Sequence, residues 1–362
     1  MYSQNDLDEA VAAGAISADA ASALRAHVDR ERASPAVDEE QFRLITGFND
    51  IFVSIAAAIL LFAVGFIGYW VGPRIEEGPS PTSGLLVAIT AWGLAEFFTR
   101  KRRMALPSIL LLLAFVGSIF FAAGTILALM AGPESLENNT VLAGVLGAAA
   151  AAIATVGAAV HWRRFRVPIT IAAGAAAAAG IVIGLTAAAI GNAPNSSTIV
   201  LAAVLVLGIG VFLFAMRWDA SDPSRLTRRS DVAFWLHLLA APMIAHPVFT
   251  LLGLNDGNVS VGEGLVVIAL YVALGITALA IDRRALLVSA LAYVLFALNR
   301  LFETFGAVEL NVALTALVIG SALLLLSAFW HQARAAIVTR LPDELQGKLP
   351  ATGERLTPQP AA

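Results

Sequence analysis

The sequence predicts an all-α fold. It is a polytopic transmembrane helix bundle of about ten spans, with both termini cytoplasmic and a small cytoplasmic helical hairpin at its start. Three observations predict it. Of 362 residues, 59% are hydrophobic and only 14% are charged, where a soluble domain is nearer about a quarter charged; mean hydropathy is +0.80. The charges are clumped, leaving long runs without an ionisable group, and about 20 apolar residues are enough to cross a hydrocarbon core of about 30 Å. Finally, basic clusters alternate with acidic or neutral loops along the whole chain.

Residues 1–40 read as a cytoplasmic hairpin. Leu7, Val11 and Ile16, then Ala20, Leu24 and Val28, recur at helical spacing. Gly14 interrupts the first run, and Ser17 is placed to cap the second. So short a segment seldom holds a core alone, so it is expected to pack on the membrane domain or on a second copy. Ser34-Pro35 ends it. Asp38 then caps a further helix whose Phe42, Ile45 and Phe48 lie along the interface. Residues 41–334 form the bundle, and 335–362 a cytoplasmic tail expected to be disordered.

Ten apolar stretches follow in order: Ile51–Val71, Gly84–Thr99, Ala105–Ala131, Thr140–Val160, Val167–Ile190, Ser197–Met216, Asp231–Gly253, Gly264–Ile281, Ala285–Phe305 and Leu310–Trp330. The second and eighth are short. The eighth and ninth are divided only by Asp282-Arg283-Arg284, so the count rests on that turn.

The charges test the count separately. Basic clusters fall at residues 100–103, 163–166, 217–229, 283–284 and from Arg334 onward; the loops between them are acidic or neutral. With ten spans and a cytoplasmic N-terminus, all of the 23 Lys and Arg except Arg74 and Arg300 lie inside, as the positive-inside rule requires. The basic turns recur once per helical hairpin. Either a duplicated hairpin or the need of each inner loop for arginine accounts for that.

The fourth and fifth stretches are mostly Ala and Gly, and the fifth carries Gly180-Ile181-Val182-Ile183-Gly184. Such small-xxx-small spacing lets helix backbones approach closely, so these two helices are expected at the centre of the bundle or in a homomeric contact. The third and tenth, with Leu110–Leu113 and Leu323–Leu326, are expected to face lipid on at least one side.

Ionisable groups inside spans cost energy and are functional candidates. His246, Asn299, Arg300 and Glu303 are candidates for an intramembrane polar site towards the outer side: His246 and Arg300 share a depth, and Glu303 is spaced to pair with Asn299 and Arg300 on one helix face. An inner-side cluster would combine Glu96 and His237 with Asn49 and Asp50. Pro242 and Pro247 are expected to bend the seventh helix and free carbonyls there. Structural readings stand beside these. Arg300 and Glu303 can snorkel to headgroups, Glu96 can pair with Arg100, and a membrane histidine can simply bond a neighbouring backbone.

Other chemistry is excluded or unsupported. There is no cysteine, hence no disulfide, thiolate metal site or cysteine nucleophile. The five histidines show no i,i+3 or i,i+4 pairing, and neither a P-loop nor an HExxH motif occurs. No catalytic residues, cofactor or metal are therefore assigned. The net charge of −3 argues against nucleic acid as a partner. The polar, acidic first 40 residues lack the pattern of a cleavable signal peptide.

Gln41-Phe42-Arg43-Leu44-Ile45-Thr46-Gly47-Phe48-Asn49-Asp50-Ile51-Phe52-Val53 and Ser230-Asp231-Val232-Ala233-Phe234-Trp235-Leu236-His237-Leu238-Leu239-Ala240-Ala241-Pro242, with the hairpin around Gly14-Ala15-Ile16-Ser17, carry a resemblance. The chain resembles a group of proteobacterial multi-pass membrane proteins, of unassigned activity, that pair a short cytoplasmic hairpin with eight or more spans. The resemblance implies a bacterial inner membrane. It also marks Asn49, Asp50, Asp231 and His237 as positions of interest.

Two functions fit these features. One is a secondary transporter or permease-like protein for a small solute. The other is a non-catalytic membrane scaffold or sensor acting through the N-terminal hairpin. The expected partners are the lipid bilayer, a small solute, and a second copy or a cytoplasmic protein. Topology is directly testable in this cysteine-free chain. Cysteines introduced singly as Arg163→Cys and Asn195→Cys should react with an impermeant thiol reagent from opposite sides of the membrane, and labelling of position 163 from outside intact cells would overturn the arrangement.

Overall fold

A computed structural model describes residues 10–24, 48–74, 78–137, 139–222, 227–252, 261–304, 310–346 and 349. The chain divides into two compact units, Met1–Leu44 and Ile45–Ala362. In the first, a helical segment ends at Gly14, whose φ of +70° is readily available to glycine. Ser17 Oγ accepts a hydrogen bond from the Ala20 N–H at 3.1 Å, an N-cap to the helical residues that follow. The interfacial helix expected from Asp38 through Phe42 and Ile45 lies outside the described residues.

The second unit is a helical bundle. Its long helices are α1 (Phe48–Trp70), α2 (Pro81–Ala95), α3 (Ala105–Ala131), α4 (Thr140–Phe165), α5 (Ile169–Ile190), α6 (Ser196–Ala220), α7 (Arg228–Leu251), α8 (Val261–Ile281), α9 (Ala285–Thr304) and α10 (Asn311–Ala328), followed by the shorter α11 (Trp330–Val338). Nine helices among the described residues are long and apolar enough to cross a membrane. The architecture is that of a multi-pass membrane protein. The expected ninth span corresponds to α9, a helix of 20 residues whose described apolar stretch is Ala290–Asn299.

The ends explain the other differences from the sequence reading. Ser80 caps α2, its Oγ accepting from the Thr82 N–H at 3.2 Å, so the second span starts three residues early at Pro81. At its other end α2 loosens into a π-helix, Glu96–Lys101. The tenth stretch breaks at Phe329, and α11 carries the helix on to Val338, past the residue at which a disordered tail was expected. A further helical turn spans Asp343–Gln346.

The turn at residues 282–284 does separate two helices. Asp282 takes a left-handed φ of +58°. The Arg283 N–H donates to Ala278 O at 2.8 Å and the Asp282 N–H to Leu279 O at 3.2 Å. These are the two hydrogen bonds of a Schellman motif, here with aspartate in the position glycine usually fills.

Consecutive helices pack in order except α7 and α8, and α7 joins the two halves by touching α5 and α9 instead. It is the most buried span: half of its apolar window is inside the protein, against 17% for α6 and α10. The central position therefore falls to α7, not to the Ala/Gly-rich pair α4 and α5. Those two use their small residues on each other. A Cβ at Gly144 would lie 2.6 Å from Gly184 O, and one at Gly184 would lie 2.8 Å from Ala148 N. Their larger residues, such as Val156 and Leu185, point outward. On α3, Leu111 and Leu112 are fully buried while Leu113 is exposed; on α10, Leu324 and Leu325 are exposed.

Helix α7 continues through Pro242 and Pro247. Pro247 cannot donate to the Met243 carbonyl four residues back. Gly208 of α6 packs against that same peptide, so close that a Cβ there would sit 2.9 Å from Met243 O. Most hydroxyls in the spans are satisfied within their own helix, as Thr155 is by Ala151 O at 2.8 Å and Thr250 by His246 O at 2.8 Å. Ser83 is an exception, donating across to Gly65 O on α1 at 2.8 Å.

The glycines give a paired test. Gly144→Val forces apart α4 and α5 and is expected to cost about 1–3 kcal/mol or more. Gly147→Ala, where nothing lies within 4 Å, is expected to be neutral or mildly stabilising. Thermal unfolding of the purified protein in detergent would read both, and equal melting temperatures would contradict the close contact.

Candidate functional site

The strongest polar feature of the bundle lies at the arginine-bearing ends of α6 to α11. Asp219, on the last turn of α6, is 2% exposed and is paired with His237 and Arg283, which are 0% and 2% exposed. The Arg283 Nη2 donates to Asp219 Oδ1 at 2.5 Å and its Nε to Oδ2 at 3.4 Å. The His237 Nε2 lies 2.8 Å from Oδ2. An ionised carboxylate only accepts, so Nε2 carries the hydrogen of this bond. Arg283 Nη2 also donates to Ser230 O at 3.3 Å, and the His237 ring meets Phe212 edge-on at 5.3 Å.

The local structure delivers each group. The Schellman turn after α8 aims Arg283 inward under α6 and α7. His237 sits on the buried face of α7 with Val232, Ala233, Leu236 and Ala240. Thr227 caps α7, its Oγ1 accepting from the Arg229 N–H at 3.2 Å. Thr227 is itself held by Asp222, which accepts from its N–H at 2.9 Å and its hydroxyl at 2.7 Å.

A second layer adjoins the first. Asp282 Oδ1 accepts from the Trp330 indole N–H at 2.7 Å and lies 3.8 Å from Arg334 Nε. Arg284 lies over the Trp330 ring, 4.9 Å from its centroid. Thus the α8–α9 turn is tied to α6 and α7 by Arg283 and to α11 by Asp282. Removing charges from water is costly, and only close pairing with satisfied hydrogen bonds offsets that cost. No family model, curated protein or solved structure matches the chain.

The residues singled out from sequence are dispersed. His237 belongs to this lattice, but the rest of the expected inner cluster does not join it. Glu96 instead accepts from Arg164 Nε at 2.7 Å and Nη2 at 3.0 Å, and from Arg100 at 3.3 Å. This pairing is partly exposed, beside an open hollow of about 510 Å³ formed with Gly93, Phe97 and Lys101. Asp50 is buried near the start of α1, where its backbone carbonyl accepts from Ser54 Oγ at 2.7 Å, while Asn49 is exposed.

Two of the outer-side candidates bond residues outside the expected set. His246 Nδ1 is 2.7 Å from the Tyr293 hydroxyl of α9, with Tyr293 stacked on Phe249 at 4.4 Å. Glu303 accepts from Asn311 Nδ2 at 2.8 Å, tying α9 to α10. Asn299 is half-buried on α9. The Arg300 side chain lies outside the described residues. Among the described residues, no group of three His, Cys, Asp or Glu is placed to hold a metal.

Asp219, Arg283, Asp282 and Trp330 were missed by the sequence reading. They sit in or beside basic turns, where charge is normally solvated, and nothing local marks two of those turns as neighbours. The available signal was Asp219 itself, the acidic residue next to Arg217 and Trp218 at a span end. His161 was likewise read as scattered. It is fully buried among Trp92, Phe115 and Phe165, with ring centroids at 6.0, 5.6 and 4.5 Å, and its Nδ1 lies 3.4 Å from Thr170 Oγ1.

The pairing predicts non-additive mutations. Asp219→Asn or Arg283→Met alone leaves an uncompensated buried charge or a broken network and should cost about 3–5 kcal/mol. The double variant Asp219→Asn/Arg283→Met should cost clearly less than the two singles together. Denaturant unfolding of the purified protein measures this, and additive losses would refute the buried pair.

Proposed function

We propose that this protein is a secondary transporter or permease-like protein for a small solute in a bacterial inner membrane, with both termini cytoplasmic, and that Asp219, His237 and Arg283 are its ionic element. The observation that carries the reading is the buried lattice joining α6, α7 and the α8–α9 turn. Ionisable groups kept inside a membrane bundle commonly mark solute pathways and proton relays. Histidine is the side chain that most readily exchanges a proton near neutral pH. A proton reaching His237 would set a second cation beside Asp219 in competition with Arg283. Weakening of the Arg283 contact would release the turn that hooks α8 and α9 to the rest of the bundle. Such an exchange between two discrete pairings is what a rocking or gating bundle requires.

The N-in, C-in orientation is supported by the distribution of arginine. The inner-membrane location rests on the resemblance carried by residues 41–53 and 230–242.

A second reading has its own support. The Asp219 carboxylate is already saturated by Arg283 and His237, and a saturated lattice serves equally as a strut. In that case the bundle is a scaffold or sensor, and the capped N-terminal hairpin meets a cytoplasmic protein or a second copy.

Reconstitution separates the two. Proteoliposomes holding a trapped pH dye would be challenged with amino acids, sugars, organic acids and amines. The transporter reading expects at least one solute to collapse an imposed proton gradient with the wild type but not with His237→Gln. Inactivity towards the whole panel would overturn it. Deletion of residues 1–36 should leave transport largely intact, whereas it should abolish the action of a scaffold.

A further inference from the structure

A groove of about 170 Å³ opens between α8, α9 and α10 at the same end as the lattice. Leu287 and Leu291 of α9 and Leu323 and Leu326 of α10 form its walls, with Tyr271 of α8 also lining it. Arg284 and Trp330 close one end, the guanidinium held over the indole face. The Tyr271 hydroxyl is buried and has no hydrogen-bond partner among the described residues.

We infer that this groove binds an anionic phospholipid, with an acyl chain along the leucine walls and the headgroup phosphate on Arg284. Four features favour this occupant. The walls are apolar and run along spans, so in a bilayer the groove is filled from the lipid phase. Among the described residues that line it, the charged one is a cation, and arginine matches phosphate with paired donors. That arginine is held in place by Trp330, an aromatic suited to the headgroup level. Arg284 also directly precedes α9, and the positive end of that helix dipole favours an anion there. Basic pockets between membrane helices bind anionic headgroups by this combination. The site is built on the α8–α9 turn, beside the Arg283 that pairs with Asp219.

Native mass spectrometry of the full-length protein in neutral detergent tests the inference, with phosphatidylglycerol and phosphatidylcholine added in equal amounts. The wild type should retain phosphatidylglycerol in preference, and Arg284→Gln should reduce that preference about tenfold. Ser327→Trp, at an exposed position lining the groove, should lower occupancy by phosphatidylglycerol while leaving Arg284 in place. It also decides the matter if Arg284→Gln does not fold. Added inorganic phosphate should not compete, because it lacks the acyl chain. Equal retention of the two lipids by the wild type, competition by phosphate alone, or undiminished phosphatidylglycerol binding in a folded Ser327→Trp protein would overturn it.

Discussion

A carboxylate buried in a membrane bundle has no water to turn to, and the structure around Asp219 is organised by that fact. Three hydrogen-bond contacts reach its two oxygens, from a guanidinium and an imidazole that are themselves almost wholly buried. Bringing Arg283 there requires α8 to stop at Ile281 and the chain to reverse through a left-handed Asp282. That aspartate is in turn stabilised by the Trp330 indole, which requires the helix to restart at Trp330 after the break at Phe329. Three features that look unrelated along the chain therefore meet one electrostatic requirement.

Elsewhere the bundle is held by close approach of backbones. Lipid tails are as apolar as leucine, so helices gain little from merely hiding hydrophobic surface. Contact depends on small residues. Gly144 and Gly184 let α4 and α5 touch, and Gly208 lets α6 lie on the peptide that Pro247 leaves without its usual donor. The proline and the glycine are thus complementary: one removes a hydrogen bond and the other lets a neighbouring helix cover the exposed carbonyl. Hydroxyls folded back onto their own helices keep the remaining polar atoms out of lipid, which explains why so many serines and threonines sit in spans without forming a site.

The candidate residues divide according to what pairs them. Glu96 could be paired with Arg100 from spacing alone, and it is; its stronger partner, Arg164, is 68 positions away. His237 stood out as an ionisable group in a span, but its partner is an aspartate that hydropathy assigns to the adjacent loop. His246 and Arg300 were grouped by equal depth. Depth fixes position along the membrane normal and not rotation about each helix, and His246 turns to Tyr293.

What the sequence determined unaided is the set of properties that one helix has by itself. The apolar lengths located the helices to within a few residues, because the cost of unsatisfied backbone in lipid allows little else. Gly14 and Ser17 marked a turn and a cap through local stereochemistry, and the Gly180/Gly184 spacing announced close packing. Tertiary structure decided which helix lies at the centre, which small-residue faces meet, and which of many basic-turn charges is drawn inside. Those outcomes depend on rotation and on partners tens of residues distant. A carboxylate such as Asp219 reads as a loop charge until the fold brings a guanidinium against it.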